Sequence, residues 1–273
     1  MKILHPTDFS STADKALGLA RDLALRLGAS LHVLHIAAQE DASERNPLVK
    51  SYLDQLGPEL RQRLEEARKD EVKALEARLA ALAGDEATSE LRWGEPLREL
   101  LALSREYDLV VMGAHGESRF DEYFLGGLAG RFVRRSFTPV LTVRDEAPQT
   151  TVRRLLVATD FGEASAGAWR FARKLAEHGL QLVLTHVMDR REATSEVVAR
   201  LERLVAGTSA RHVLRQGDPV KLLPKIADEV GADAIVIGVR RHRSAVGLVF
   251  GSRADALLRS SPVPVLSVPY VER

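Results

Sequence analysis

Short apolar runs alternate with segments of helical period along this chain. Ile3-Leu4-His5 is a brief strand that stops at Pro6-Thr7-Asp8. Ser10 or Ser11 is placed to cap the next helix, and Asp14 lies in a first turn where the helix dipole favours a negative charge. Ala16, Leu19, Ala20, Leu23 and Leu27 then recur at helical spacing until Gly28 ends the run. Residues 31–36 predict a second strand. Residues 47–83 are helical in pattern, with Leu53, Leu56, Leu60, Leu64, Val72, Leu75, Leu79 and Leu82 near one stripe, interrupted at Gly57-Pro58. A third strand is expected over 89–93, and Gly94-Glu95-Pro96 opens a helix carrying Leu97, Leu100, Leu101 and Leu103. Residues 109–112 are wholly apolar, the mark of a strand buried on both faces of a parallel sheet. A glycine-bearing loop, a helix over 128–137 and a strand over 139–143 complete the series. This alternation predicts an α/β fold, with a parallel sheet, right-handed crossovers and helices on both faces.

The pattern is written twice. Asp108-Leu109-Val110-Val111-Met112-Gly113 returns as Asp233-Ala234-Ile235-Val236-Ile237-Gly238, 125 residues later. Gly126 answers Gly251, and Pro139-Val140-Leu141-Thr142-Val143 answers Pro264-Val265-Leu266-Ser267-Val268 at the same offset. At the front, residues 3–9 match 155–161 at an offset of 152, and Arg92 to Pro96 match Arg215 to Pro219 at 123. The first copy therefore holds 29 additional residues (152 − 123), in the Arg-, Glu-, Leu- and Ala-rich stretch before Arg92. The reading is two domains of one fold, 1–145 and 152–273, joined by a polar linker containing Pro148.

Composition narrows the function. A formal net charge of +1 gives no general pull on nucleic acid or an anionic membrane, and no apolar stretch approaches the ~18 residues of a membrane span. The absence of cysteine excludes disulfides, iron–sulfur clusters and thiolate zinc sites. Met1-Lys2 runs directly into the first strand, which leaves no room for a signal peptide. The expectation is a cytoplasmic protein with neither nucleic-acid nor membrane partners.

The chemistry concentrates after the fourth strand. Gly113-Ala114-His115-Gly116 is followed, after nine intervening residues, by Gly126-Gly127 and a helix beginning at Leu128. Backbone without side chains approaches a ligand closely, and the free N–H groups of a helix start point at negative charge, so this loop reads as an anion cradle. Asp8 and Asp160 end equivalent strands, either as helix caps or as ligand contacts at a crevice. His35 and His186 occupy matching places in the second strand of each copy and read as hydrogen-bonded strand residues. Arg240 and Arg243 read as members of a solvated loop, and the leucine stripe over 58–83 as a helix covering its own domain.

Together, Pro6-Thr7-Asp8-Phe9-Ser10, Leu34-His35-Ile36 and Val110-Val111-Met112-Gly113-Ala114-His115-Gly116, with the closing Gly126-Gly127 and Thr138-Pro139-Val140-Leu141-Thr142-Val143, resemble the universal stress protein family. The resemblance runs through both copies, as in a tandem-type member. It implies two doubly wound, Rossmann-like five-stranded parallel sheets of order 3-2-1-4-5, related by a pseudo-twofold through their fifth strands, and it leaves open a homodimer. The crevice at the strand-order reversal would take ATP, with Mg2+ held through its phosphates. Carried over, the first site comprises Pro6, Thr7, Asp8, Ile36, Met112, Gly113, His115, Gly116, Gly126, Gly127 and Leu128. The second comprises Asp160, Val187, Gly238, Arg241, Gly251, Ser252 and Arg253. Gly127 stands where ATP-binding members have Ser or Thr, and Arg241 where they have the second glycine of the loop. The resemblance favours the first copy as the nucleotide site.

No Walker A lysine, G-x-S-x-G elbow, H-E-x-x-H or G-x-G-x-x-G pattern occurs. Three functions are consistent with the sequence: an ATP-binding stress-response protein acting without catalysis, an interaction pseudo-dimer with lapsed sites, and a slow ATPase or autophosphorylating protein.

Overall fold

The computed structural model describes residues 1–37, 57–114, 127–148, 150–189, 194–244, 247–249 and 251–271. The first half supplies β1 (Lys2–Pro6), α1 (Ser11–Leu27), β2 (Ser30–Ala37), α2 (Pro58–Ala83), β3 (Ala87–Trp93), α3 (Pro96–Leu103), β4 (Leu109–Gly113), α4 (Leu128–Arg135) and β5 (Val140–Val143). The second supplies β6 (Arg154–Ala158), α5 (Glu163–Ala176), β7 (Gln181–Met188), α6 (Thr194–Val205), β8 (Arg211–Gln216), α7 (Pro219–Val230), β9 (Ala234–Ser244), β10 (Gly247–Val249), α8 (Ser252–Ser260) and β11 (Val265–Val271).

Local chemistry sets the boundaries. The Ser10 side chain accepts the Ala13 N–H at 3.2 Å to start α1, and Gly28, in the left-handed region at φ 58°, ends it. Glu95 caps α3 ahead of Pro96, as Asp218 caps α7 ahead of Pro219. Asp108 and Asp233, 125 residues apart, do the same job in each half. Asp108 accepts the Lys2 N–H at 2.7 Å, and Asp233 accepts those of Arg153 and Arg154 at 2.7 and 2.8 Å, pinning the first strand of each half beside the fourth.

The strands run β3-β2-β1-β4-β5-β11-β9-β6-β7-β8, so each half has the order 3-2-1-4-5. All neighbours within a half are parallel except β10, which folds back on β9. The halves join through β5 and β11, antiparallel, with Leu141 opposite Leu266. The seam is symmetric: Thr142 donates its hydroxyl to the Val265 carbonyl at 3.1 Å, and Ser267 donates to that of Val140 at 3.2 Å. This pairing covers two edges that would otherwise present unpaired backbone.

Alternating strand residues divide the core into two layers. Val111, Val157 and Val236 face α1, α2, α5 and α6, while Val110, Leu156 and Ile235 face α3, α4, α7 and α8. Among the described residues no helix is long and apolar enough to cross a membrane.

The structure corrects two sequence expectations. Only the C-terminal end of α2 covers its domain: Leu79 and Ala83 are buried, but Leu60 and Leu64 are exposed. The apolar stripe is diluted by charge in the first turns, so nothing there rewards docking; Leu53 and Leu56 lie outside the described residues. The basic run that read as a loop is the second half of β9. Arg240 pairs with Tyr270 and Arg241 with Val271, after which the chain turns back through β10. No glycine interrupts the strand at 241, and β11 extends far enough to partner it.

A second contact crosses the seam. Asp255 on α8 is buried and binds Arg134 on α4 at 2.5 Å, together with Arg259 on its own helix. Arg134 and Arg259 are equivalent positions sharing a single carboxylate, because Gly130 stands opposite Asp255 in the other half. Asp255→Ala leaves two guanidinium groups without that partner, partly screened by solvent. A loss of about 2 kcal/mol is expected in a denaturant titration; an unchanged midpoint would remove this contact from the forces holding the halves together.

Candidate functional site

The site begins at a strained turn. Phe161, after β6, sits in the left-handed region at φ 60°, where a side chain costs roughly 1–2 kcal/mol. Several bonds hold it there. Thr159 accepts the Phe161 N–H through its hydroxyl at 2.9 Å, and Asp160 Oδ1 accepts the Gly162 N–H at 2.9 Å. His186 Nδ1 donates to the Thr159 carbonyl at 2.7 Å, its ring 4.6 Å from that of Phe161, while Arg200 lies 4.0 Å from the Phe161 ring centroid. The first half repeats the arrangement with Phe9 at φ 62°, Thr7, Asp8, His35 and Arg78. Both histidines are hydrogen-bonded strand residues, and both aspartates tie down the N–H two residues ahead.

Gly113 and Gly238 let the following helix approach the sheet. A Cβ on Gly238 would stand 2.1 Å from the Ala164 carbonyl oxygen, and one on Gly113 would stand 3.1 to 3.2 Å from Thr12 and Ala13. Their role is close helix–strand packing at the crevice, in addition to whatever backbone they show a ligand.

In the second half the ends of β6, β7 and β9, the start of α8 and the β8–α7 connection enclose a cavity of about 880 Å3. Its inner wall is apolar, with Ala158, Leu223, Ile237 and Leu257; Asp160, Asp218, Arg240 and Arg253 stand round it. Burial works against the ionised form of Asp160. Hydrogen bonds from Ser165 (2.7 Å) and the Gly162 N–H, with the charge of Arg240, outweigh it and hold this carboxyl below the ordinary carboxylate value. Gly251 caps α8 without a side-chain acceptor, so the first N–H groups of that helix open on the cavity rim.

Of the residues expected in this half, Asp160, Val187, Gly238, Gly251 and Arg253 share the cavity wall. Ser252 is the first residue of α8 and is not part of the wall, and Arg241 is a strand residue of β9, paired with Val271. In the first half, Pro6, Thr7 and Asp8 follow β1, Ile36 ends β2, Met112 and Gly113 end β4, and Gly127 and Leu128 start α4. His115, Gly116 and Gly126 lie outside the described residues. Sequence reasoning missed Arg240, Thr185 and Asp218 as wall residues. The repeat of Arg92 to Pro96 at Arg215 to Pro219 was the available signal for Asp218, because it places that turn at the same end of the sheet.

The sequence model of the universal stress protein family matches residues 1–144 and 199–269. The chain belongs to the universal stress protein family. It is 31% identical over 148 residues to universal stress protein YxiE of Bacillus subtilis, covering 52% of this chain and 98% of that protein. It is 25% identical over 201 residues to a universal stress protein of Mycobacterium tuberculosis, covering 65% and 67% of the two chains. The crystal structure of a universal stress protein from Archaeoglobus fulgidus has the same fold over 98% of both chains, with a TM-score of 0.68 at 24% identity. This universal stress protein thus carries the order 3-2-1-4-5 in both halves.

Proposed function

We propose that this universal stress protein is a two-domain, cytoplasmic stress-response protein that binds an adenine nucleotide in the second-half cavity and acts through the bound state, without turnover. One observation carries the reading: Asp160, Val187, Gly238, Gly251 and Arg253, widely separated in sequence, line a single cavity. Its volume falls in the range of small-molecule sites, its inner wall suits a base, and its rim suits phosphates. The start of α8 and the cations Arg240 and Arg253 supply the positive end, and a Mg2+ ion would be held through the phosphates. Whereas the sequence favours the first half, this cavity lies in the second. Arg241, which stands at a loop glycine of the family pattern, belongs to strand β9 and pairs with Val271.

Calorimetric titration tests this. Wild type is expected to bind ATP with a micromolar dissociation constant, and Arg253→Ala to bind it about tenfold more weakly while keeping its affinity for adenosine. No binding of either ligand by wild type at millimolar concentration would refute the nucleotide reading and leave the interaction pseudo-dimer, which the symmetric β5–β11 seam supports.

A further inference from the structure

Thr185 is fully buried in β7, and its hydroxyl has no hydrogen-bonding partner among the described residues. A lone buried hydroxyl is unfavourable, since it surrenders its bonds to water and receives none in return. The residue belongs to the cavity: it lines the wall, and it stands on the same face of β7 as Val183 and Val187, which pack into the layer containing Ile237, Leu223 and Leu257. The wall it belongs to is apolar at Ala158, Val187, Leu223 and Ile237, and the hydroxyl is closed off from solvent behind it.

The two halves make the choice of residue visible. Thr185 pairs with Ala158 as Leu34 pairs with Pro6, and the carbonyls of Thr185 and Leu34 each accept the N–H of the threonine after the first strand, at 2.8 Å. The backbone role is therefore identical, while the side chain is a packed leucine in one half and an unpartnered hydroxyl in the other. Strand formation does not demand the polar group, and valine would fill nearly the same volume.

We propose that the Thr185 hydroxyl is a specificity-determining contact of the second-half site, hydrogen-bonding the buried edge of the heteroaromatic base. This rests on the nucleotide reading above and refines it. The base enters between the apolar walls with its polar edge inward, the ribose and phosphates lie toward Asp160 and Arg253, and a turn of the Thr185 side chain toward the cavity gives its hydroxyl the partner it lacks. A site built with a buried polar group discriminates strongly, because a ligand without the matching group leaves the protein atom unpaired.

The test compares wild type, Thr185→Val and Thr185→Ser for binding of ATP and of adenosine, with melting temperatures taken without ligand. Thr185→Val is expected to bind both ligands about tenfold more weakly, and Thr185→Ser to restore most of the affinity. The ligand-free valine variant should melt about 2–4 °C higher than wild type, because a lone hydroxyl has become a methyl group. That opposition, a more stable protein and a weaker complex, is not produced by damage to packing. Unchanged affinity in Thr185→Val, with wild type binding normally, overturns this inference and leaves the nucleotide reading standing. Weaker binding accompanied by a lower melting temperature assigns Thr185 a structural role and also overturns it. A wild type that binds neither ligand overturns both.

Discussion

Gly238→Ala is expected to cost about 3 kcal/mol or more of stability, measured as the shift in a denaturant midpoint. The added Cβ would stand 2.1 and 2.2 Å from the carbonyl oxygen and carbon of Ala164, and 2.6 Å from the Ser165 nitrogen. These are backbone atoms, so no side-chain rotation relieves the overlap. Either β9 moves away from the start of α5 or the first turn of that helix unwinds. The equivalent change in the first half is milder, because there the nearest atom is the Thr12 methyl at 3.1 Å, with backbone no closer than 3.2 Å. Gly113→Ala should cost about 1 kcal/mol. Equal effects at the two positions would mean that the tighter helix–sheet approach of the second half does not exist in solution. Substitutions at either glycine report on folding before they report on any ligand, which is why Arg253 and Thr185 are better probes of the site.

The second large effect is on acid stability. His5 is wholly buried in β1, with Nδ1 donating to the Val111 carbonyl at 2.8 Å and Nε2 lacking a partner among the described residues. Burial lowers its pKa from 6.5 to about 4; the bond to Val111 and the charge of Asp8 pull it up, and the charge of Arg21 pushes it further down. The unfolded chain therefore takes up a proton at a pH where the folded protein does not. The contribution of His5 is fully present above the unfolded pKa of 6.5, and it is lost as the pH falls through the window down to about 4. Over that window the difference amounts to about 3 kcal/mol. His5→Val, which installs the residue found at the equivalent position 157, should flatten stability between pH 6.5 and 4 relative to wild type. Parallel pH profiles of the two proteins would show that His5 does not govern this window.

Much of this architecture was legible in the sequence because it is carried by local and periodic signals. The capping of α1 by Ser10, its end at Gly28 and the proline-led starts of α3 and α7 each follow from residues within a turn of the boundary. Asp160 and Gly251, which line the cavity, were legible as candidates because the duplication places them in register with Asp8 and Gly126. Arg240 was not: whether residues 239–241 form a loop or a strand depends on the extension of β11, whose partner stretch lies some thirty residues away. Thr185 was equally silent, since an alternating strand tolerates threonine on either face and nothing local reveals that its hydroxyl goes unmatched.

The sequence by itself determined a doubled α/β chain, because hydrophobic period, caps and the 125-residue register are properties of the chain alone, and its strand-end motifs carried the resemblance to the universal stress protein family. Tertiary structure decided the rest. It joined β5 to β11, closed Gly238 against Ala164, buried His5, and buried the Thr185 hydroxyl without a partner among the described residues. Each of these depends on how near two distant backbones come. About one ångström there separates a glycine that nearly tolerates a methyl group from one that does not.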